Sequence, residues 1–262
     1  MKALLGDYPV TQHFKQKSGL QFADVKVPNT AFKRVVRDLE FDVAELAIMT
    51  FLLAKAHGKP LQLLPAVLTA RFQHPFLVTT KNLKPKELEG RRVGQRSYSV
   101  TTATWVRGIL ADDFGVDLGK VKWVTFEEPH VAEFRDPANV ERAPAGKDMM
   151  AMLLAGELDA AIVGEVPKDE RIRPVIADPA AAAQAWKKKH GAIQINHMVV
   201  VKRGVDANAI YRQLLESRAA ATSVEMNPFG VEENRRNLEA AIDCTFRQNM
   251  IPKRYTLEEL FA

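Results

Sequence analysis

Lys81-Asn82-Leu83-Lys84-Pro85-Lys86-Glu87-Leu88-Glu89-Gly90-Arg91-Arg92-Val93-Gly94 is polar and charged along most of its length, then turns into a strand. Pro85 and Gly90 bracket a short helical turn and stop it. A break of this kind between two apolar stretches reads as a crossover from one α/β lobe into a second. A chain that crosses must return. The place for the return is Gln194-Ile195-Asn196-His197-Met198-Val199, where a polar start runs into an apolar strand. Two such crossings form a hinge, with a cleft between the lobes. The expected division is 1–92 plus 197–262 as one lobe and 93–196 as the other.

Outward from that break, short apolar runs alternate with helical patterns. Strands are expected over 41–47, 61–68, 76–79, 92–94, 121–126, 158–163 and 198–201. Helices are expected over 48–57, 101–114, 148–155, 180–189, 207–222 and 232–248, with a tail helix opened by the capping box Thr256-Leu257-Glu258-Glu259. Gly58, Gly115 and Gly156 stand where three of these patterns stop. The alternation predicts an α/β fold with mostly parallel sheets covered on both faces.

The chain has 262 residues, 47% hydrophobic and 26% charged, ordinary values for a globular protein with a sizeable core. Its net charge of +5 comes from scattered lysines and arginines without interleaved aromatics, so no nucleic-acid partner is expected. A small anion suits this balance better. No apolar run approaches membrane-spanning length, and the first residues show no export-signal pattern. No membrane partner and a cytoplasmic address are therefore expected, while a homo-oligomer stays open. Cys244 is the single cysteine, so neither an internal disulfide nor a thiolate metal cluster can form.

Several separated segments resemble the 4,5-dihydroxyphthalate decarboxylase family. They are Phe41-Asp42-Val43-Ala44-Glu45-Leu46, Arg71-Phe72-Gln73-His74, Tyr98 with Thr101 and Trp105, Ala143-Pro144-Ala145-Gly146-Lys147, and 152–160. Ile195-Asn196-His197, 229–235 and Leu257-Glu258-Glu259-Leu260-Phe261 continue the match, so the resemblance covers most of the chain. It implies a two-lobed type 2 periplasmic-binding-protein-like fold with two hinge crossings. It also implies decarboxylation of a hydroxylated aromatic, phthalate-like acid in the interlobe cleft. Many relatives on this fold are solute-binding proteins of the ABC-transporter type, so a non-catalytic binder of a small organic anion is the alternative. This sequence departs from the family at Ala70 and Gln73, where basic residues are usual, and at Glu165, where the family carries a positive charge. It is also shorter between Thr222 and Phe229.

Removing carbon dioxide from a hydroxylated ring needs an acid for the ring carbon and an acceptor for the phenolic proton. It also needs a grip on any carboxylate that stays. His74 and His197 are the proton-transfer candidates, because imidazole ordinarily titrates near neutral pH. Glu45 is the third catalytic candidate, able to accept a phenolic hydrogen bond or to orient a histidine. Arg71 suits a bidentate grip on a carboxylate. Tyr98, Ser99, Thr101 and Thr102 open a helix whose free N–H groups suit an anion. Lys147 is a candidate to reach into the cleft, Asn234 to face it, and Glu165 to line it or its rim. The plainer readings are structural histidines, a helix-start acid, ordinary capping and surface charge. No cofactor is expected, although His74, His197 and Glu45 have the donor types of a two-histidine, one-carboxylate metal site.

Overall fold

The computed structural model describes residues 1–222 and 224–262. In chain order the elements begin β1 (Lys2–Leu4), α1 (Pro9–Lys17), β2 (Gln21–Phe22), α2 (Phe32–Val36), β3 (Val43–Ala47), α3 (Ile48–Ala56) and β4 (Leu61–Ala70). Then come β5 (Leu77–Thr79), β6 (Arg92–Gln95), α4 (Thr101–Phe114), β7 (Lys122–Thr125), β8 (Val140–Arg142), α5 (Met149–Leu154), β9 (Ala160–Ile162), β10 (Arg173–Pro174) and α6 (Pro179–His190). The chain finishes with β11 (Ile195–Lys202), α7 (Ala207–Ala219), α8 (Val231–Arg247) and α9 (Leu257–Phe261).

These elements form two compact units, Met1–Arg71 with Ala192–Ala262, and Phe72–Gly191. The chain returns to the first unit at 191/192, against the expected 196/197. The expected outgoing boundary at 92/93 lies inside the second unit. There β5 already pairs with β9, Leu77 opposite Ile162. The polar stretch at 81–91 is a loop and a 3₁₀ turn (Pro85–Leu88) within that unit. Loops are polar because they run over a surface, whether or not they join domains.

The first unit holds a sheet in the order β2-β1-β3-β11-β4. β1, β2, β3 and β4 run the same way, and β11 runs against both of its neighbours. The chain leaves this sheet from the carboxyl end of β4 and returns at the same edge, so the returning strand must run down. On one face Val43, Val199 and Val201 pack with Val10 and Phe14 of α1 and with Ile210 and Leu214 of α7. Each such fully buried side chain contributes roughly 1.5–3 kcal/mol. Met198 and Val200, of opposite parity, are also buried, so β11 is covered on both faces. β4 lies at the sheet's edge, which is why Pro65 is tolerated there. The segment 227–230 covers that edge: Val67 N–H donates to Pro228 O at 3.2 Å and Gly230 N–H to Pro65 O at 2.8 Å.

The second unit holds the order β10-β5-β9-β6-β7-β8. β6, β7, β8, β9 and β10 share a direction, and β5, the strand by which the chain enters, opposes it. The expectation of mostly parallel strands therefore holds strand by strand. One entering strand in each sheet makes both sheets mixed. α4 spans the residues the periodicity predicts and stops at Gly115, whose φ of 62° suits glycine. The core of this unit includes Val78, Val124, Leu153, Leu158 and Ala161. Among the described residues, no helix is long and apolar enough to cross a membrane.

Candidate active site

In an open α/β sheet, functional groups gather at the carboxyl ends of the strands. In the first unit that edge collects the loop after β1, the end of β3, the end of β4 and the start of β11. Glu45 on β3 stands opposite Val199, and His197 stands opposite Ala47. The two side chains are thus diagonal neighbours on one face, within reach of each other. The β11–β4 register also slips on both sides of His197. Bulges of this kind re-aim a side chain.

The Glu45 carboxylate is fully buried, and three donors or partners converge on it. Gly6 N–H donates to Oε2 at 2.9 Å. The Tyr8 hydroxyl donates to Oε1 at 2.8 Å. His197 Nδ1 lies 2.5 Å from the same Oε1. The Phe32 ring meets the imidazole edge-on, with centroids 5.1 Å apart. His197 keeps 17% of its side chain exposed. A carboxylate that accepts at Nδ1 fixes the tautomer, because a lone pair there would face a lone pair on oxygen. The proton sits on Nδ1, and Nε2 is left as the atom that can take or give one. Glu45 thus lies where it can orient His197, and the phenol it accepts from here belongs to Tyr8. Burial, then the charge and hydrogen bond of Glu45, push the Tyr8 hydroxyl well above the usual phenol range. It is a fixed donor, not a base.

Arg71 follows β4 at the same edge, its N–H donating to Gln194 O at 3.1 Å. His74 belongs to the second unit and opens a 3₁₀ turn (His74–Phe76) packed against α4 and α6. It is 1% exposed, and among the described residues neither ring nitrogen has a hydrogen-bond partner. Burial pulls it from 6.5 down to about 4, against an opposing pull from Asp113. The expectation that both histidines titrate near neutrality is therefore corrected for His74, which is uncharged at neutral pH.

Other expected site residues fare unevenly. Ser99 and Thr101 are buried at the start of α4, and Thr102 is half-buried. Tyr98 is also buried, but its ring packs face-on against the Arg107 guanidinium, 3.6 Å from the ring centroid, and stacks with Phe134. It is a packing residue here, since that cation–π contact fills its face. Lys147 lies on the surface in an ion pair with Glu157 at 3.0 Å. Glu165 is exposed in the segment after β9. Asn234 is a correction. It is fully buried, and its amide donates to Pro228 O and Gly230 O, both at 2.9 Å, so it holds the turn that covers β4. The shortening between Thr222 and Phe229 includes Ser223, which lies outside the described residues. No group of three or more His, Cys, Asp or Glu side chains among the described residues is arranged to hold a metal ion.

No family model matches the chain. Two curated proteins named 4,5-dihydroxyphthalate decarboxylase are similar to it. One, from Comamonas testosteroni, is 25% identical over 192 residues, 67% of this chain and 58% of its own length. The other, from Pseudomonas putida, is 29% identical over 175 residues, 61% of this chain and 68% of its own length. The chain thus spans less than two thirds of the first. Among solved structures, the periplasmic aliphatic sulphonate binding protein SsuA from Escherichia coli superposes with a TM-score of 0.58 at 11% identity, over 100% of this chain and 96% of that one. The alkanesulfonate-binding protein SsuA from Xanthomonas axonopodis pv. citri, bound to MOPS, gives 0.53 at 13% identity over 99% and 96%. The chain has the periplasmic-binding-protein fold. At these identities the likeness fixes the fold and neither ligand nor compartment.

Gly6 and Tyr8 are the site residues that sequence reasoning missed. The signals were present but local. Gly6-Asp7-Tyr8-Pro9 places a glycine and a helix-opening proline just after an apolar Ala3-Leu4-Leu5. Pro9 occupies the first helical position, where its missing N–H costs nothing. That pattern marks a strand-to-helix turn, the place where such sheets present functional groups.

Proposed function

We propose that this chain is a carboxy-lyase acting on a hydroxylated aromatic, phthalate-like carboxylic acid, with His197 as the proton-handling group. The observation that carries the reading is the 2.5 Å contact between His197 Nδ1 and a fully buried Glu45 carboxylate. A histidine oriented in this way, with its side chain still partly exposed, is the arrangement general acid–base chemistry needs. The names of the two curated relatives support the reaction class. In this reading Nε2 of His197 first takes a proton from water, and a ring hydroxyl para to the leaving carboxylate gives its proton up to water. The freed electron pair pushes through the ring, and the carbon bearing the carboxylate takes the proton held on His197 Nε2. The bond to the carboxylate then breaks, carbon dioxide departs, and its electron pair restores the aromatic ring. The hydroxyl regains its proton, so the net change is uptake of one proton and release of carbon dioxide. Arg71 holds a remaining carboxylate.

The test is incubation with 4,5-dihydroxyphthalate and a panel of hydroxylated aromatic acids, following carbon dioxide release and the ultraviolet spectrum. Release from at least one member supports the reading. A second reading, a non-catalytic binder of a small organic anion, draws support from the fold shared with sulfonate-binding proteins. Tight binding without product across the panel would favour it.

A further inference from the structure

Tyr8 has a more specific part in this site than contact alone. Its hydroxyl and His197 Nδ1 address the same oxygen of Glu45, while Gly6 N–H takes the other. With both oxygens engaged, rotation of the carboxylate would break at least one of these contacts. The loop that carries Tyr8 is itself locked. Thr11, fully buried, accepts from Tyr8 N–H at 3.0 Å and donates to Gly6 O at 2.7 Å. Thr11 N–H donates to Tyr8 O at 2.9 Å. The Tyr8 ring lies against the Gly6 backbone so closely that a Cβ on Gly6 would fall 2.5 Å from ring atom Cζ and 2.6 Å from the hydroxyl oxygen. Gly6 is therefore required for space, so that the phenol can fold back over the strand end and reach Glu45.

We propose that Tyr8 is a positioning residue: its hydroxyl pins Glu45 Oε1, and through it holds His197 in the Nδ1–H tautomer with Nε2 free for the substrate. Tyr8 touches no reacting atom in this scheme. It sets the geometry of a group that does, as a supporting hydrogen bond must where a site is preorganised. The assignment rests on the reading of His197 as the proton-handling group, but its decisive measurement needs no turnover.

The experiment compares wild type with Tyr8→Phe and Gly6→Ala, each labelled with ¹⁵N-histidine. Long-range ¹H–¹⁵N spectra report which nitrogen of His197 carries the proton. Tyr8→Phe removes only the hydroxyl, and thermal melting confirms that it folds. Wild type is expected to show the Nδ1–H pattern, and Tyr8→Phe a mixture with a new Nε2–H component. On any substrate that the panel identifies, kcat is expected to fall about tenfold to a hundredfold while KM stays within about twofold. Gly6→Ala, which displaces the ring while keeping the phenol, is expected to reproduce the same spectral change. An unchanged single Nδ1–H pattern in Tyr8→Phe overturns the assignment. A tautomer change without turnover of any aromatic acid leaves Tyr8 as the positioning group and removes the decarboxylase reading instead.

Discussion

Glu45 and His197 meet diagonally across β3 and β11, Oε1 to Nδ1 at 2.5 Å, with the carboxylate fully buried and the imidazole still partly exposed. Three groups present a proton to this carboxylate: Gly6 N–H, the Tyr8 hydroxyl and His197. A buried group surrounded by donors tolerates an acceptor and nothing else. Glu45→Gln keeps the shape but replaces one acceptor oxygen by an N–H donor, so either Gly6 N–H faces a donor or Tyr8 and His197 must both turn to accept. Glu45→Gln is expected to lose about 1–3 kcal/mol of unfolding free energy, the usual cost of an unsatisfied buried group. Urea unfolding measures it. A midpoint equal to wild type would mean that the three contacts do not organise the carboxylate.

His197→Ala tests the chemistry with less effect on the fold, because this side chain is partly exposed. On a confirmed substrate kcat is expected to fall by about 10²–10⁴, the range for loss of general acid–base help. Single-turnover kinetics separate this from slowed product release. Near-wild-type turnover would remove His197 from the proton step and leave the fold assignment untouched.

Much of this architecture was readable before the structure. α4 occupies the residues its periodicity marks, and Glu45 and His197 emerge from strands that alternation predicts. The boundary of the outgoing crossing was not readable. β4 runs on to Ala70, and the crossing between Arg71 and Phe72 carries neither a glycine nor a proline. Phe72 then packs edge-on to Trp186, so the crossing is short and carries no loop signal, while the surface loop at 81–91 looks like a linker. The first forty residues gave little signal because β1 and β2 hold only three and two residues, too few to show alternation. The Tyr8 contact was invisible for a related reason. It joins residues 37 positions apart, and only the β1–β3 pairing brings them together.

Arg71 is expected to act on binding. It stands at the carboxyl edge of β4, one residue beyond the Ala70–Ile195 pair. If it holds a substrate carboxylate equally in the ground and transition states, Arg71→Ala raises KM and leaves kcat within about twofold. Arg71→Lys should recover only part of the loss, since an ammonium cannot form the bidentate fork. Steady-state kinetics on a confirmed substrate decide it, and a fall in kcat at constant KM would assign Arg71 to the transition state instead.

His74 makes a prediction about stability that needs no substrate. Its ring is buried without a hydrogen-bond partner among the described residues, and burial lowers it from 6.5 to about 4 in the folded chain. Below pH 6.5 the unfolded chain takes up a proton that the folded chain refuses. Acid therefore pulls the equilibrium toward unfolding. The stability tied to neutral His74 is fully present above the unfolded value and is lost as pH falls through the folded one. The shift corresponds to about 2–3 kcal/mol lost between neutral pH and pH 4. His74→Leu removes the titrating ring and keeps an apolar side chain in its place. Denaturant unfolding of both proteins across that range should show the wild type losing stability more steeply than the variant. Parallel curves would mean that the imidazole is protonated inside the fold, and that a partner for it forms in solution.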